Sequence, residues 1–305
     1  MKQLSDIEPD HEVLPASPRG APVPWWAKIG AKIVLARALP SYRARKTFGL
    51  FLHGNLDHNV AQHGAFVQNV LAQHERYGGS ARTILELGPG NSLGTALFAA
   101  ARGVTRTWLC DVGDFASGDM ALYREIAATL EPDAPGFSAR VDLTDRARML
   151  ASVNATYLTE GVASLAAIPD GSIDVILSTA VLEHVRRAEF ARLAAEMRRM
   201  LRGGGTAYHE VDLMDHLGGA LNNLRFSESV WESAFFAESG FYTNRLRCRE
   251  IVAAFEAAGF EAAVTRIARW PALPTARRAL AAQFRDLPDD ELRIANFGVL
   301  LRKPA

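Results

Sequence analysis

The sequence predicts an α/β fold, and three segments carry that prediction. Thr83-Ile84-Leu85-Glu86-Leu87 is an apolar run that breaks at Gly88-Pro89-Gly90-Asn91 and resumes as Thr95 to Ala100, the pattern of a strand, a tight turn and a helix. Thr107 to Cys110 is a second apolar run, closed by Asp111. Ile173 to Leu177 is a β-branched run set between the turn Pro169-Asp170-Gly171 and the small residues Ser178, Thr179 and Ala180. Strands that alternate with helical patterns belong to a sheet covered by helices.

The glycine turn is built for a ligand. Gly88 and Gly90 let the backbone come close to it, and the following helix points unpaired N–H groups and a positive dipole end at it. Asp111, about 20 residues beyond the turn, stands where an acid meets ribose hydroxyls in nucleotide folds. The two together predict a nucleoside site. With Gly94 the spacing is G-x-G-x-x-x-G rather than the dinucleotide G-x-G-x-x-G, and Glu86 in the strand end repels a pyrophosphate while suiting an ammonium and a sulfonium.

At these residues the sequence resembles the class I S-adenosylmethionine-dependent methyltransferases, whose first motif is a hydrophobic strand ending E-x-G-x-G. The stretch from Ile168 to Val185 resembles their fourth motif, P-x-x-S-F-D-x-V followed by a small residue and E-H-V. The resemblance covers roughly 80–302 and is strongest over 83–111, 168–211 and 246–267. Its details look most like bacterial enzymes of the methyltransferase type 11 group with a D-x-x-D-H segment, here Asp212 to His216, after strand five. It implies a Rossmann-like seven-stranded sheet with an N-terminal helical extension and insertions after strands 5 and 6. The implied cofactor is S-adenosyl-L-methionine: Gly88 and Gly90 at its methionine portion, Glu86 at its ammonium, Asp111 at the ribose, Ser178 and Thr179 along the crevice, and Asn91 among the residues that bind it. Where the family often has an aspartate for the adenine, this chain has Val162, so the resemblance implies that backbone N–H and apolar contact hold the base. Two rivals remain: a nicotinamide oxidoreductase, disfavoured by Glu86 and the glycine spacing, and a catalytically silent cofactor-binding module.

Taken in order, residues 1–23 contain Pro9, Pro15, Pro18 and Pro22 and read as a draped lead-in. Pro24 starts a helix through Arg37 with Trp26, Ile29 and Ile33 on one face. Its tryptophans and lysines suit either peripheral membrane contact through 24–39 or, as the commoner case, packing on its own domain. In the polar loop over 41–60, His53 and Asp57 face the pocket if the helical extension closes over the cofactor, as the resemblance implies, and are otherwise only solvated. A helix over 60–77 ends at Gly78-Gly79. The organisation expected is a lead-in and helical cap over 1–79 and a methyltransferase domain over 80–305, with insertions at about 212–245 and 268–294.

Asp114 reads as a surface charge or helix cap, and a third strand is expected near Thr156-Tyr157-Leu158. Asp174, at the start of the fourth, is as compatible with turn hydrogen bonding as with the site. The helix from Arg187 ends at Gly203-Gly204-Gly205, after which Thr206 to Val211 forms strand five and delivers His209, Asp212, Asp215 and His216 to the acceptor side. His209, oriented by Asp212 or Asp215, is the first candidate base, and His184 the second. Glu183, His184, His209 and His216 could gather as a nitrogen and oxygen metal site, but their spacing matches no ligand motif and no metal is expected.

Of 305 residues, Lys+Arg number 34 and Asp+Glu 34, a balance that gives no electrostatic footprint for nucleic acid. Two cysteines, Cys110 and Cys248, are too few for a disulfide framework, and no long apolar span occurs, so a cytoplasmic location is expected. The expected acceptor is a small molecule or a glycan-linked nucleophile; the oligomeric state stays open.

Overall fold

In the computed structural model, which describes residues 4–16, 23–38 and 56–305, the apolar runs form the middle of one eight-stranded sheet. In chain order the strands are β1 (Asp10–Val13), β2 (Thr83–Leu87), β3 (Arg106–Cys110), β4 (Ala155–Leu158), β5 (Ile173–Thr179), β6 (Leu201–Asp212), β7 (Glu261–Arg269) and β8 (Ile294–Arg302). They lie in the order β1-β7-β8-β6-β5-β2-β3-β4. Only β8 runs against its neighbours β6 and β7; every other pair is parallel. The order reverses between β2 and β5, which leaves a crevice at their carboxyl ends, where ligands bind in such sheets.

Five of these strands, β2 to β6, stand where the sequence places strands, and β7 and β8 complete the seven-stranded sheet expected. The eighth, β1, corrects the expectation of a draped lead-in: the N-terminal segment pairs with β7 from Asp10↔Arg266 to Val13↔Arg269, and Leu4 is buried beside it. Backbone pairing supplied what side-chain composition did not reveal, because an edge strand needs no buried face of its own.

The longer helices are α1 (Trp25–Ala38), α2 (Leu56–Tyr77), α3 (Gly94–Ala101), α4 (Met120–Leu130), α5 (Arg146–Ser152), α6 (Arg187–Met200) and α7 (Cys248–Ala257). Asp119 caps α4 through the Ala121 amide and Asp145 caps α5 through that of Arg148. One face of the sheet buries Phe190, Leu193 and Met197 of α6 with Ile251 and Phe255 of α7; the other buries Val67 and Val70 of α2 with Leu97 of α3. The predicted glycine stop after α6 lies inside β6 instead. The chain passes straight from Met200 into the strand, and pairing with β5 shifts register between Ile173 and Val175 beside those glycines.

Residues 213–247 and 270–293 are the two insertions, and they pack on each other. Leu221 and Leu224 of the first meet Trp270, Leu280 and Phe284 of the second. The first also receives α1, whose Ile29 is buried with Leu217, Trp231 and Phe241. Trp25 stacks edge-on against Phe226 at 6.0 Å, and the Lys32 Nζ donates to the His216 carbonyl at 2.9 Å. Trp26, expected on the apolar face, is 63% exposed; the packed tryptophan is Trp25, one position earlier on the helix. No helix among the described residues is long and apolar enough to cross a membrane.

Candidate active site

A cleft of about 1220 Å³ opens at the reversal point of the sheet. Its first wall is the turn after β2. Gly88 and Gly90 hold φ of +67° and +61°, a region that side chains with a Cβ rarely enter. A Cβ on Gly88 would stand 2.3 Å from Val181 Cγ2, so nothing larger fits. The turn is tied to the next strand end: the Gly90 amide donates to Asp111 Oδ2 at 3.0 Å and the Val112 amide to Oδ1 at 2.7 Å. A carboxylate oxygen can accept more than one hydrogen bond, the chemistry that a vicinal diol calls for. Val112, Phe115 and Leu122 line the cleft next to it and provide an apolar surface for a base.

Glu86 lies at the bottom of this end, 5% exposed. Burial pushes its carboxyl up to about 8, with the neighbouring Asp111 charge adding to the rise and a hydrogen bond from Thr95 opposing it. Its Oε2 has no hydrogen-bond partner among the described residues. A buried, half-satisfied carboxylate beside a turn of left-handed glycines fits the ammonium of a methionine moiety, and so the residues present fit S-adenosylmethionine. His63 of α2 stands over the same place. Its Nε2 is 2.5 Å from Thr95 Oγ1 and 3.8 Å from Glu86 Oε1, and burial lowers its pKa to about 4.

The far end of the cleft is lined by Thr179, Ala180, His184 and Glu210 from the sheet side, with His216 and Tyr242 from the first insertion. Ala180 has φ of +53°, a strained turn for a residue with a Cβ, at the point where β5 leaves the sheet. Glu183 is 2% exposed, no side chain among the described residues donates to its carboxylate oxygens, and burial next to the Asp212 charge holds its carboxyl well above the usual range.

Glu86, Gly88, Gly90, Asn91, Asp111, Thr179 and His184, all singled out from the sequence, line one cleft. Four expected residues do not. Ser178 and His209 are fully buried inside the sheet layer, where Ser178 Oγ lies 2.7 Å from His209 Nδ1. His209 stacks on Phe255 of α7 at 5.7 Å between ring centroids, and burial lowers its pKa to about 3, so it faces the core and not the acceptor. The alternation of a strand explains the error: Tyr208 and Glu210 point the other way from His209, and Glu210 is the one that reaches the cleft. Asp212 accepts from the Met214 amide at 2.8 Å and Asp215 caps its own turn; neither orients His209. Val162 packs against the core beside Leu165. Asp174 takes the structural role, accepting from the Arg82 and Thr83 amides at 2.8 Å and from Arg202. Asp114 is an exposed charge paired with Arg146. His53 lies outside the described residues, as does the side chain of Asp57.

His63, Tyr242 and Lys32 also line the cleft and were not singled out from the sequence. For His63 a signal existed: Gln62, His63, Phe66 and Asn69 form one stripe of α2, at helical spacing, and that stripe faces the site.

The sheet order with its reversed eighth strand is that of a Rossmann-like α/β domain, and the glycine, Glu86 and Asp111 constellation at its reversal point fits S-adenosylmethionine. Residues 85–209 match the family described as a methyltransferase domain, of type 11. Solved structures that match include a candidate O-methyltransferase of Nostoc punctiforme PCC 73102 at 11% identity and TM-score 0.43, covering 79% of this chain and 56% of that one. The CurJ carbon methyltransferase matches at 14% identity and TM-score 0.36, over 74% and 49% of the two chains. A SAM-dependent methyltransferase of Archaeoglobus fulgidus matches at 11% and 0.45, over 86% and 100%. The chain therefore spans about half the length of the first two. No curated protein matches the sequence.

Proposed function

We propose that the whole chain transfers the methyl group of S-adenosylmethionine to a hydroxyl or amine of a small-molecule or glycan-linked acceptor. One observation carries this reading: the cleft is a single space of about 1220 Å³, larger than one ligand of ordinary size requires, with the cofactor constellation at one end and a polar, histidine-bearing end at the other. An acceptor seated against His184, His216 and Tyr242 faces the methyl carbon across that space. The acceptor atom forms a bond to that carbon as the carbon–sulfur bond breaks in line, the sulfonium leaves as a neutral thioether, and the acceptor's proton departs at the histidine end. Since the sulfonium is already electrophilic, the protein's work is to align the acceptor and exclude water. The balanced net charge supports a small or glycan acceptor over a nucleic acid.

The test is incubation with methyl-labelled cofactor and fractionated host extract. Label is expected in a small-molecule or glycan fraction, with release of S-adenosylhomocysteine. Label confined to protein or nucleic acid, or binding of NAD in place of S-adenosylmethionine, would overturn the reading.

A further inference from the structure

At the acceptor end, Glu183, His184 and His216 present one ligand atom each, all within 4.8 Å of one another. Glu183 is the buried member, and no side chain among the described residues donates to its two oxygens. A carboxylate taken out of water without a side-chain donor is costly unless a positive charge meets it. No lysine or arginine forms an ion pair with it among the described residues, whereas two imidazoles, with ring centroids 4.9 Å apart, stand beside it. Asp212 adds a second negative charge close by.

The three are held as ligands are held. His184 Nδ1 lies 3.0 Å from the Tyr242 carbonyl, which can only accept, so Nδ1 carries the proton and Nε2 offers a lone pair. This is the arrangement by which a second partner fixes the tautomer of a metal-binding histidine. The short turn bearing Glu183 and His184 is pinned by Asn244: its amide donates to the Glu183 carbonyl at 2.7 Å, and its Nδ2 to the carbonyls of Leu182 and Val185. His216 is fixed through its neighbour Asp215, which accepts from the Leu217 and Gly218 amides at 2.9 and 2.8 Å and from both nitrogens of Asn222.

We propose that Glu183, His184 and His216 form a binding site for one divalent transition-series cation at the acceptor end of the cleft. Two imidazole nitrogens and one carboxylate suit zinc, manganese, iron or cobalt better than magnesium or calcium, which take all-oxygen sets. Three protein ligands leave coordination positions open toward the cleft, as in catalytic rather than structural sites. On the methyltransferase reading, which this inference deepens, the open positions receive oxygen atoms of the acceptor. The cation then orients a hydroxyl and eases loss of its proton, so the chain needs no free histidine base. This replaces the expectation of a metal-free site, and the sequence hid it because the ligands come from two separate loops and His209, the fourth residue considered, belongs to the core.

The experiment uses the full chain stripped with EDTA and titrated with Co²⁺ while visible absorption is followed. Expected are ligand-field bands that saturate at one cobalt per chain and disappear when Zn²⁺ is added. Loss of a residue that only orients a ligand typically weakens metal affinity about 10–100-fold, so His216→Ala and Glu183→Gln, each losing a ligand, should weaken it by at least about tenfold. His216 is only half buried, which keeps the test open if the buried Glu183 variant does not fold. Bands that do not saturate at one equivalent, or that survive His216→Ala unchanged, overturn the site. S-adenosylmethionine binding is measured in parallel by calorimetry with EDTA present. Cofactor binding without a cobalt site defeats this inference alone, while a cobalt site without cofactor binding keeps the metal and removes its role in methyl transfer.

Discussion

The two ends of the cleft are made of different material. At the cofactor end the recognising surface is mostly backbone: two glycines at positive φ, amides that fix Asp111, and one buried carboxylate inside a strand. At the acceptor end it is side chains, brought from the loop after β5 and from an insertion that starts after β6, with α1 laid against it. A backbone-built site must keep short, fixed spacings, because the peptide geometry allows few alternatives. A side-chain-built site can draw its members from anywhere that the insertion reaches. The first end therefore belongs to the fold and the second to this chain, so perturbations should divide along the same line.

The sharpest way to break that division is Gly88→Val. A Cβ there overlaps the Val181 side chain in a turn held at φ +67°, so that side chain or the turn must shift and the backbone is strained. Calorimetry should find S-adenosylmethionine binding weakened by at least about a hundredfold, or roughly 3 kcal/mol. Asp111→Ala should cost about 1.5–3 kcal/mol of the same binding through loss of a charge-assisted contact. If both variants bind with unchanged affinity, the cofactor end has been misplaced.

His209→Ala sharpens the comparison from the opposite side, since this histidine sits between the two ends in sequence but inside the core in space. Removing its ring from Phe255 and its bond to Ser178 should lower thermal stability by about 2–3 kcal/mol, the scale of a large-to-small core change. Cofactor affinity should stay within about threefold. A large fall in turnover with an unchanged melting temperature would return His209 to catalysis.

The smallest effect expected is a pH dependence at the cofactor end. Glu86, with a pKa raised to about 8, is protonated at neutral pH and must lose that proton to face an ammonium. Affinity for S-adenosylmethionine should fall as pH drops below about 8, by up to tenfold (about 1.4 kcal/mol) per pH unit, and Glu86→Gln should flatten the profile. In the cofactor-free protein the sign for folding is the reverse. The raised pKa favours the folded state most below about 4.5, and that contribution is lost as pH rises through about 8. A flat binding profile in the unaltered protein would show that Glu86 does not touch the ammonium.

The legible parts of the sequence were those in which local chemistry dictates geometry. The run into Gly88 and Gly90, Asp111 closing the next strand, and the turn before Ile173 each specified an element and its place in the sheet. Strand parity defeated the reading of β6: a histidine at a strand's carboxyl end faces the crevice or the core according to register alone, and Glu210 rather than His209 took the outward place. The acceptor end was visible only as an excess of polar residues from Asp212 to His216. Which of them meet depends on Asn244 and Tyr242, about thirty residues later, and no spacing rule links them. β1 was illegible for a different reason, since four exposed residues held by backbone pairing and polar side-chain contacts leave no apolar pattern.

That short first strand has a bearing on how the molecule behaves in a crowd. Without it, the outermost strand of the sheet would be β7, whose backbone from Arg266 to Arg269 would offer open donors and acceptors to any passing extended chain. Asp10, His11 and Glu12 occupy that rim, with Glu12 paired to Arg266 at 3.2 Å and His11 Nδ1 lying 3.0 Å from an Arg269 guanidinium nitrogen. The new rim is only four residues long, exposed and mostly polar, a poor template for further addition. Trimming these residues would leave the cleft untouched yet convert a closed border into a sticky one, and the cost would be paid in self-association rather than in catalysis.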